Sequence, residues 1–315
     1  MPSVTGARNP SLILVDFTYQ RRKDIRVKSI GITLGDQAGI GPEVVRAALT
    51  SGQLPPGFDF KIIGKEIDVV PGKSSRQSAK AALDALEKSV RLLKSGDIAA
   101  VVTAPVGKEG LHELGFHFPG QTEFFADRLG CKNHAMCLTG ENLTVALVTI
   151  HVAVAQVPDL LRTSEVVRIG KLLAGFCKQR GIEKPRIAVC GLNPHAGESG
   201  AFGNEDIEIV APAVNQLRSE GQADFSGPHP PDTIFRPAAD GEYDAVLCMY
   251  HDQGLIPLKL LDFDTGVNVT LGLPYPRTSP DHGTAYDIAG TGKANPSSMI
   301  HAIQLACKMV SQIPE

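Results

Sequence analysis

The chain is 315 residues long, 43% apolar and 21% charged, a composition with enough apolar sequence for two lobes around a sizeable core. Its 31 lysines and arginines nearly balance 34 aspartates and glutamates, so there is no overall basic field to recruit nucleic acid or an acidic membrane, and a small ligand is expected. No apolar stretch approaches the roughly 20 residues needed to cross a bilayer, and the start of the chain lacks the order of a signal peptide, so a soluble, cytoplasmic protein is expected.

Residues 1–26 combine turn formers with a basic cluster, Q-R-R-K-D-I-R, and are expected to form a poorly ordered extension. From Val27 onward, short β-branched runs alternate with amphipathic segments. Strands are predicted at 29–34, 60–63, 99–103, 144–150, 186–190, 245–249 and 268–271, and helices at 75–93, 164–180, 205–219 and 297–310. Such alternation predicts an α/β sheet with helices on its faces, whose ligands gather beyond the carboxyl ends of the strands. The six cysteines (131, 137, 177, 190, 248 and 307) include no C-x-x-C pair and mostly sit in apolar runs, so they are expected to be reduced core residues.

In chain order, the first glycine-rich segment is G-D-Q-A-G-I-G-P-E at 35–43, which follows a strand and opens a helix. Free amides at a helix start favour an anion, although spacing alone equally allows a tight strand-to-helix turn. Three later strands each run into a histidine: V-A-L-V-T-I-H ends at His151, I-A-V-C-G-L-N-P-H at His195 and A-V-L-C-M-Y-H at His251. A single histidine after a strand is ordinarily a loop or hydrogen-bonded core residue. Three in the same relation to a strand point to a shared divalent metal with positions left open to water or substrate. Downstream, Lys259, Asn268 and Arg277 place two cations and an amide near the His251 segment. They suit a phosphate or carboxylate; ordinary surface charge is the alternative for the two cations.

The run D-H-G-T-A-Y-D-I-A-G-T-G-K-A-N-P at 281–296 resembles the adenosine-binding loop of the isocitrate and isopropylmalate dehydrogenases. That resemblance makes His282, Gly283, Thr284, Ala285 and Asp287 the expected cofactor contacts. The carboxylate at Asp287 would accept the ribose hydroxyls of NAD and repel the 2′-phosphate of NADP.

Eight motifs in order extend the likeness: G-D-Q-A-G-I-G-P-E, V-T-A-P-V-G-K (102–108), P-G-Q-T-E-F-F (119–125), G-L-N-P-H-A-G-E (191–198), M-Y-H-D-Q-G (249–254), G-V-N-V-T-L-G-L-P (266–274), R-T-S (277–279) and D-H-G-T-A (281–285). From residue 29 to the end the chain resembles the 4-hydroxythreonine-4-phosphate dehydrogenases of pyridoxal phosphate synthesis. The resemblance implies a two-lobed isocitrate/isopropylmalate dehydrogenase-like fold rather than a Rossmann domain. One lobe, 27–118 plus 255–315, would carry the NAD loop, and the other, 119–254, most metal ligands and the dimer contacts. It also implies that His151, His195 and His251 bind a divalent metal (zinc, cobalt or magnesium), contributed by both subunits of a homodimer. Gln121, Thr122, Lys259, Asn268 and Arg277 would bind substrate, and Asp232 would reach the same site as a proton acceptor.

The implied reaction is NAD-linked oxidation of 4-phosphooxy-L-threonine to a β-keto acid that decarboxylates to 3-amino-2-oxopropyl phosphate. Threonate or erythronate 4-phosphate, or a dicarboxylated dihydrodiol, are alternative substrates for the same chemistry. A three-histidine metal hydrolase and a non-catalytic metal-binding protein are the rivals from other classes. The chain departs from the family in four places: Gln121 replaces a usual histidine, Gln37 replaces a usual proline, the connection between 63 and 75 is short, and residues 1–26 have no counterpart.

Overall fold

The computed structural model describes residues 27–312, so the expectation for residues 1–26 falls outside the described residues. Ten strands form one sheet: β1 (Lys28–Thr33), β2 (Phe58–Ile63), β3 (Ala100–Thr103), β4 (Ala135–Thr139), β5 (Thr144–Leu147), β6 (Arg186–Cys190), β7 (Asp224–His229), β8 (Ala245–Cys248), β9 (Val267–Leu271) and β10 (Arg277–Pro280). Their order across the sheet is β2-β1-β3-β10-β9-β4-β5-β8-β6-β7.

Two parallel groups make up most of the sheet, β2-β1-β3-β10 on one side and β5-β8-β6-β7 on the other. Between them β9 and β4 pair antiparallel with each other and with their outer neighbours, so the two groups run in opposite directions. This antiparallel seam distinguishes the sheet from a Rossmann domain, whose mostly parallel strands share one direction.

Helices cover the sheet as the apolar spacing requires. The Arg76–Ser95 helix starts at a reciprocal capping box between Ser75 and Ser78 and stops at Gly96, whose φ of 76° is the left-handed conformation of a helix end. It buries Ala79, Ala82, Leu86, Val90 and Leu93 along one stripe, each large side chain contributing about 2 kcal/mol of burial energy before entropy is counted. The Thr163–Gln179 and Ser297–Ser311 helices agree with their predicted ranges to within about a residue at each end. The segment expected as one helix at 205–219 instead opens with a π-type turn, Asp206–Val210, before the Ala211–Glu220 helix. Among the described residues no helix is long and apolar enough to cross a membrane. All six cysteines are free and five of them are buried.

Three strands had no counterpart in the sequence reading: β4, β7 and β10. Each carries polar or proline residues that blur the apolar pattern, and each is fixed by its neighbours in the sheet. The turn between β4 and β5 is tied to the end of the His251–Asp262 helix by the buried Asp262 carboxylate. It accepts from the amides of Glu141, Asn142 and Leu143 at 2.9–3.2 Å. That tie fixes the helix that begins with His251.

Candidate active site

Because β5, β8 and β6 are adjacent and parallel, their carboxyl ends share one edge of the sheet. Beyond β5 stands His151, and His251 opens the helix that follows β8. Their ring centroids are 5.5 Å apart with planes at 43°. The Nδ1 of His251 lies 2.7 Å from Asp252 Oδ1, a contact that orients the ring and leaves Nε2 free to bind. The pKa of His151 is lowered, first by desolvation and then by the charges of His251 and Lys108, against a smaller opposing pull from Glu123. A neutral imidazole with a free lone pair is the form a cation requires. A cavity of about 120 Å³ is lined by both rings together with Thr149, Tyr250 and Asp252.

His195 is placed differently. Its side chain is 64% exposed and points to Phe202, with ring centroids 5.9 Å apart. Residues 195–199 all have φ between 39° and 81°, and four of them are not glycine. Left-handed backbone at non-glycine residues costs about 1–2 kcal/mol each, so the surroundings must impose it. The buried Asp206 carboxylate supplies part of that constraint by accepting from Leu192 N at 2.6 Å and Asn193 N at 3.0 Å. His151, with φ 50°, is a further non-glycine residue in the same region of backbone space. Among the described residues no group of three His, Cys, Asp or Glu side chains could hold a metal. One chain therefore unites His151 and His251 but leaves His195 apart. Asp232 is exposed in the turn after β7, and among the described residues no hydrogen bond joins its carboxylate to the histidines.

Arg277 is 3% exposed, which excludes the surface-charge alternative for this residue. It sits in β10, flanked by β3 and β9, where its Nη2 donates to Thr103 Oγ1 at 2.7 Å. Nη1 reaches Thr270 Oγ1 at 3.4 Å and Asn268 Oδ1 at 3.5 Å. Thr122 Oγ1 joins the cluster through Thr270 Oγ1 at 3.2 Å. The guanidinium also lies over the Phe125 ring, 5.9 Å from its centroid. Burial pushes the Arg277 pKa down to about 10, opposed by Glu123, so the group stays charged at neutral pH. Its Nε has no partner. A buried cation bonded only to neutral oxygens is an unbalanced charge, and an anionic ligand balances it.

Gln121 starts the Gln121–Arg128 helix and donates from Nε2 to Ala104 O at 3.3 Å. That contact orients the amide, because a carbonyl oxygen cannot accept from Oε1. Its Oε1 is buried without a partner. Lys259 is half-exposed and pairs with Asp281 at 2.6 Å, an acidic partner 22 positions away that sequence spacing could not reveal. Glu123 and Lys108, which act on His151, were also missed; their only signal was membership in the motifs at 119–125 and 102–108.

The loop after β10 packs on the 35–43 segment. Ile40 N donates to Thr284 O at 2.9 Å, and a Cβ on Gly39 would come within 2.6 Å of the same oxygen, so only glycine fits there. Tyr286 Oη donates to the buried Asp36 at 2.7 Å. His282 donates or accepts through Nδ1 at Gly283 O, 3.1 Å away, and its Nε2 is buried without a partner; Ala285 has φ 42° and Asp287 is exposed. A loop anchored at one side, with an unpaired imidazole nitrogen and an open carboxylate, has the donors and acceptors a nucleoside requires.

This sheet, with its reversed parallel groups and its ligand groups at strand ends, defines an α/β dehydrogenase of the isocitrate dehydrogenase-like class. An isocitrate dehydrogenase from Methylococcus capsulatus superposes with a TM-score of 0.51 at 13% identity, covering 90% of this chain and 99% of that one, a likeness of fold alone. The chain belongs to the family described as pyridoxal phosphate biosynthetic protein PdxA, whose model matches residues 36–306. It is similar to the D-threonate 4-phosphate dehydrogenase of Pectobacterium atrosepticum, 41% identical over 90% of this chain and 99% of that protein. The 4-hydroxythreonine-4-phosphate dehydrogenase of Caulobacter vibrioides is 50% identical over 82% of this chain and 78% of that protein. Among solved structures, the 4-hydroxythreonine-4-phosphate dehydrogenase of Klebsiella pneumoniae matches with a TM-score of 0.77 at 38% identity, covering 90% and 98% of the two chains. The chain is an oxidoreductase, and the hydrolase and non-catalytic readings fall with that assignment.

Proposed function

We propose that the chain oxidises 4-phosphooxy-L-threonine with NAD, giving a β-keto acid that loses carbon dioxide to form 3-amino-2-oxopropyl phosphate. The observation that carries this reading is the buried, charged Arg277 cluster in reach of the same Glu123 carboxylate that acts on His151. The anion anchor and the imidazole pair therefore share one electrostatic neighbourhood. Arg277, with Thr122 and Asn268, holds the phosphate through charge-assisted hydrogen bonds and so fixes the position of the reacting carbon. Lys259 becomes available to the substrate if its pairing with Asp281 opens.

The donor set suits a divalent metal ion such as zinc, cobalt or magnesium: two neutral imidazoles are together and a third stands on a strained loop. A bound cation lowers the pKa of a substrate hydroxyl, and NAD accepts the hydride. Asp232 is the proposed acceptor of the hydroxyl proton. The contacts expected for NAD are those of His282, Gly283, Thr284, Ala285 and Asp287.

The separation of His195 from the other two rings favours an active site shared by two subunits of a homodimer. The large exposed apolar residues support it, because most of them flank the three histidines: Val154 near His151, Phe202 and Ile207 near His195, and Ile256, Leu260 and Phe263 along and beyond the helix of His251. Leu260 is 82% exposed, and a patch of this kind marks a contact surface. The strand order supports the proposed lobes, since β1, β2, β3, β9 and β10 belong to 27–118 plus 255–315, and β4 to β8 belong to 119–254. Free, mostly buried thiols suit work in the reducing cytoplasm.

D-threonate 4-phosphate is the second reading, favoured by Gln121: an uncharged amide oxygen without a partner accepts equally from a hydroxyl or an ammonium group. Steady-state NAD reduction with the two phosphorylated acids, each with and without added metal, tests both. Turnover of the amino acid at the higher kcat/KM supports the first reading, preference for the hydroxy acid supports the second, and inactivity on both sinks the phosphorylated-substrate assignment.

A further inference from the structure

Two departures noted in the sequence meet at one place in the fold. Gln37 is 8% exposed, and both ends of its amide are used: Nε2 donates to Lys65 O at 2.7 Å and Oε1 accepts from Ile67 N at 3.0 Å. The side chain thus bonds to the short connection after β2 much as a neighbouring strand would. Farther along that connection Gly72 N donates to Ala38 O at 2.8 Å. Pro71 presses on Gly290, where an added Cβ would lie 2.7 Å from the proline ring. The circle closes through Glu43, whose carboxylate accepts from Gly290 N at 3.1 Å and Gly292 N at 3.2 Å.

Three segments so fastened, 35–43, 64–73 and the loop at 281–296, border a cavity of about 180 Å³ lined by Gln37, Gly39, Glu43, Arg46, Glu66 and Ile67, with Val69 and Pro71 adding apolar wall. Its chemistry excludes a phosphate. The one cation in the lining, Arg46, is paired with Glu66 at 2.9 Å, and Glu43 adds a second carboxylate. An uncharged ring with hydrogen-bonding edges fits the size and the mixed apolar and acceptor-rich walls.

We propose that this cavity receives the adenine ring of NAD, and that Gln37, by pinning the 64–73 connection, is a positioning residue for it. The inference rests on the NAD assignment above. It gives the short connection a role: the stretch is fastened by a side chain rather than by length, and forms the wall opposite Gly290. Gln37 touches the connection and not the reacting atoms, so its loss weakens dinucleotide binding and leaves the chemical step alone.

The test is calorimetric binding of NAD and of AMP to the wild-type chain, Gln37→Ala and Gln37→Glu, with kcat at saturating NAD read alongside. Loss of two buried hydrogen bonds predicts that Gln37→Ala raises both dissociation constants about five- to tenfold, with kcat at saturation unchanged. Gln37→Glu keeps the acceptor for Ile67 N and is expected to weaken both by about two- to threefold; it decides the matter if the alanine variant does not fold. Wild-type binding of NAD with unaltered affinity in a folded variant overturns the inference alone. Binding of NAD without detectable binding of AMP overturns the placement of adenine. A wild-type chain that binds no NAD overturns the inference together with the cofactor reading beneath it.

Discussion

The histidine edge and the Arg277 cluster are built on opposite plans. The cluster is finished within one chain: Arg277 is buried, its hydroxyl partners come from three different elements, and it carries a charge that calls for an anion. The histidine edge is unfinished, with two rings together, a third apart on strained backbone, and bare apolar side chains around all three. The contrast teaches that ligand anchoring can be a property of the monomer while the reactive centre belongs to an assembly.

The harshest way to break this comparison is to remove a ring. His195→Ala is expected to lower metal-dependent turnover about a thousandfold or more with Tm unchanged, because a cation loses one of three donors. His251→Ala should do the same. Mixing the two inactive variants should then recover about a quarter of wild-type activity, since half the dimers are mixed and each carries one intact site of two. No recovery on mixing would place all three rings in one subunit.

Next in size, Arg277→Met should cut kcat/KM for a phosphorylated substrate about a hundredfold by deleting the charge-assisted bonds. Metal binding, measured by calorimetry, should stay intact. A more modest loss, about tenfold in activity at low protein concentration, is expected from Leu260→Glu, with the sedimentation coefficient falling to that of a monomer. Phosphate binding at Arg277 should survive in that monomer. Survival of the dimer would show that the apolar strip faces something else.

The smallest effect sharpens the picture of the far edge of the sheet. His229, hydrogen-bonded to Ser226 at 2.7 Å, has its pKa lowered by desolvation and by Arg218. The folded state prefers the neutral ring, so below the ordinary value near 6.5 the unfolded chain binds the proton first and stability falls as pH falls. His229→Gln should flatten the decline of Tm between about pH 6.5 and 5 without altering activity at neutral pH.

Much of this was legible in the order of residues. Strand runs that end in His151, His195 and His251 announced one edge of the sheet, and β5, β8 and β6 do lie side by side. Their convergence was not legible, because it depends on where a loop turns: five left-handed residues after Pro194 carry His195 away from the pair, and the Asp206 that holds the segment before them comes from the next helical turn. Arg277 was open to reading as surface charge because R-T-S-P has no apolar alternation. Only pairing with β3 and β9 buries it. Gln37 looked like a neutral exchange for proline, and its bonds to Lys65 and Ile67 exist only in three dimensions.

The seam between β9 and β4 has a mechanical consequence. Five residue pairs, from Ala135 opposite Leu271 to Thr139 opposite Val267, weld the two parallel groups into one continuous sheet. A hinge there would have to break ladder bonds, so wide jaw-like closure over a ligand is disallowed. Access must be controlled by small shears of the flanking helices and by the loops, and selectivity must rest on a pocket already in its working shape before anything enters.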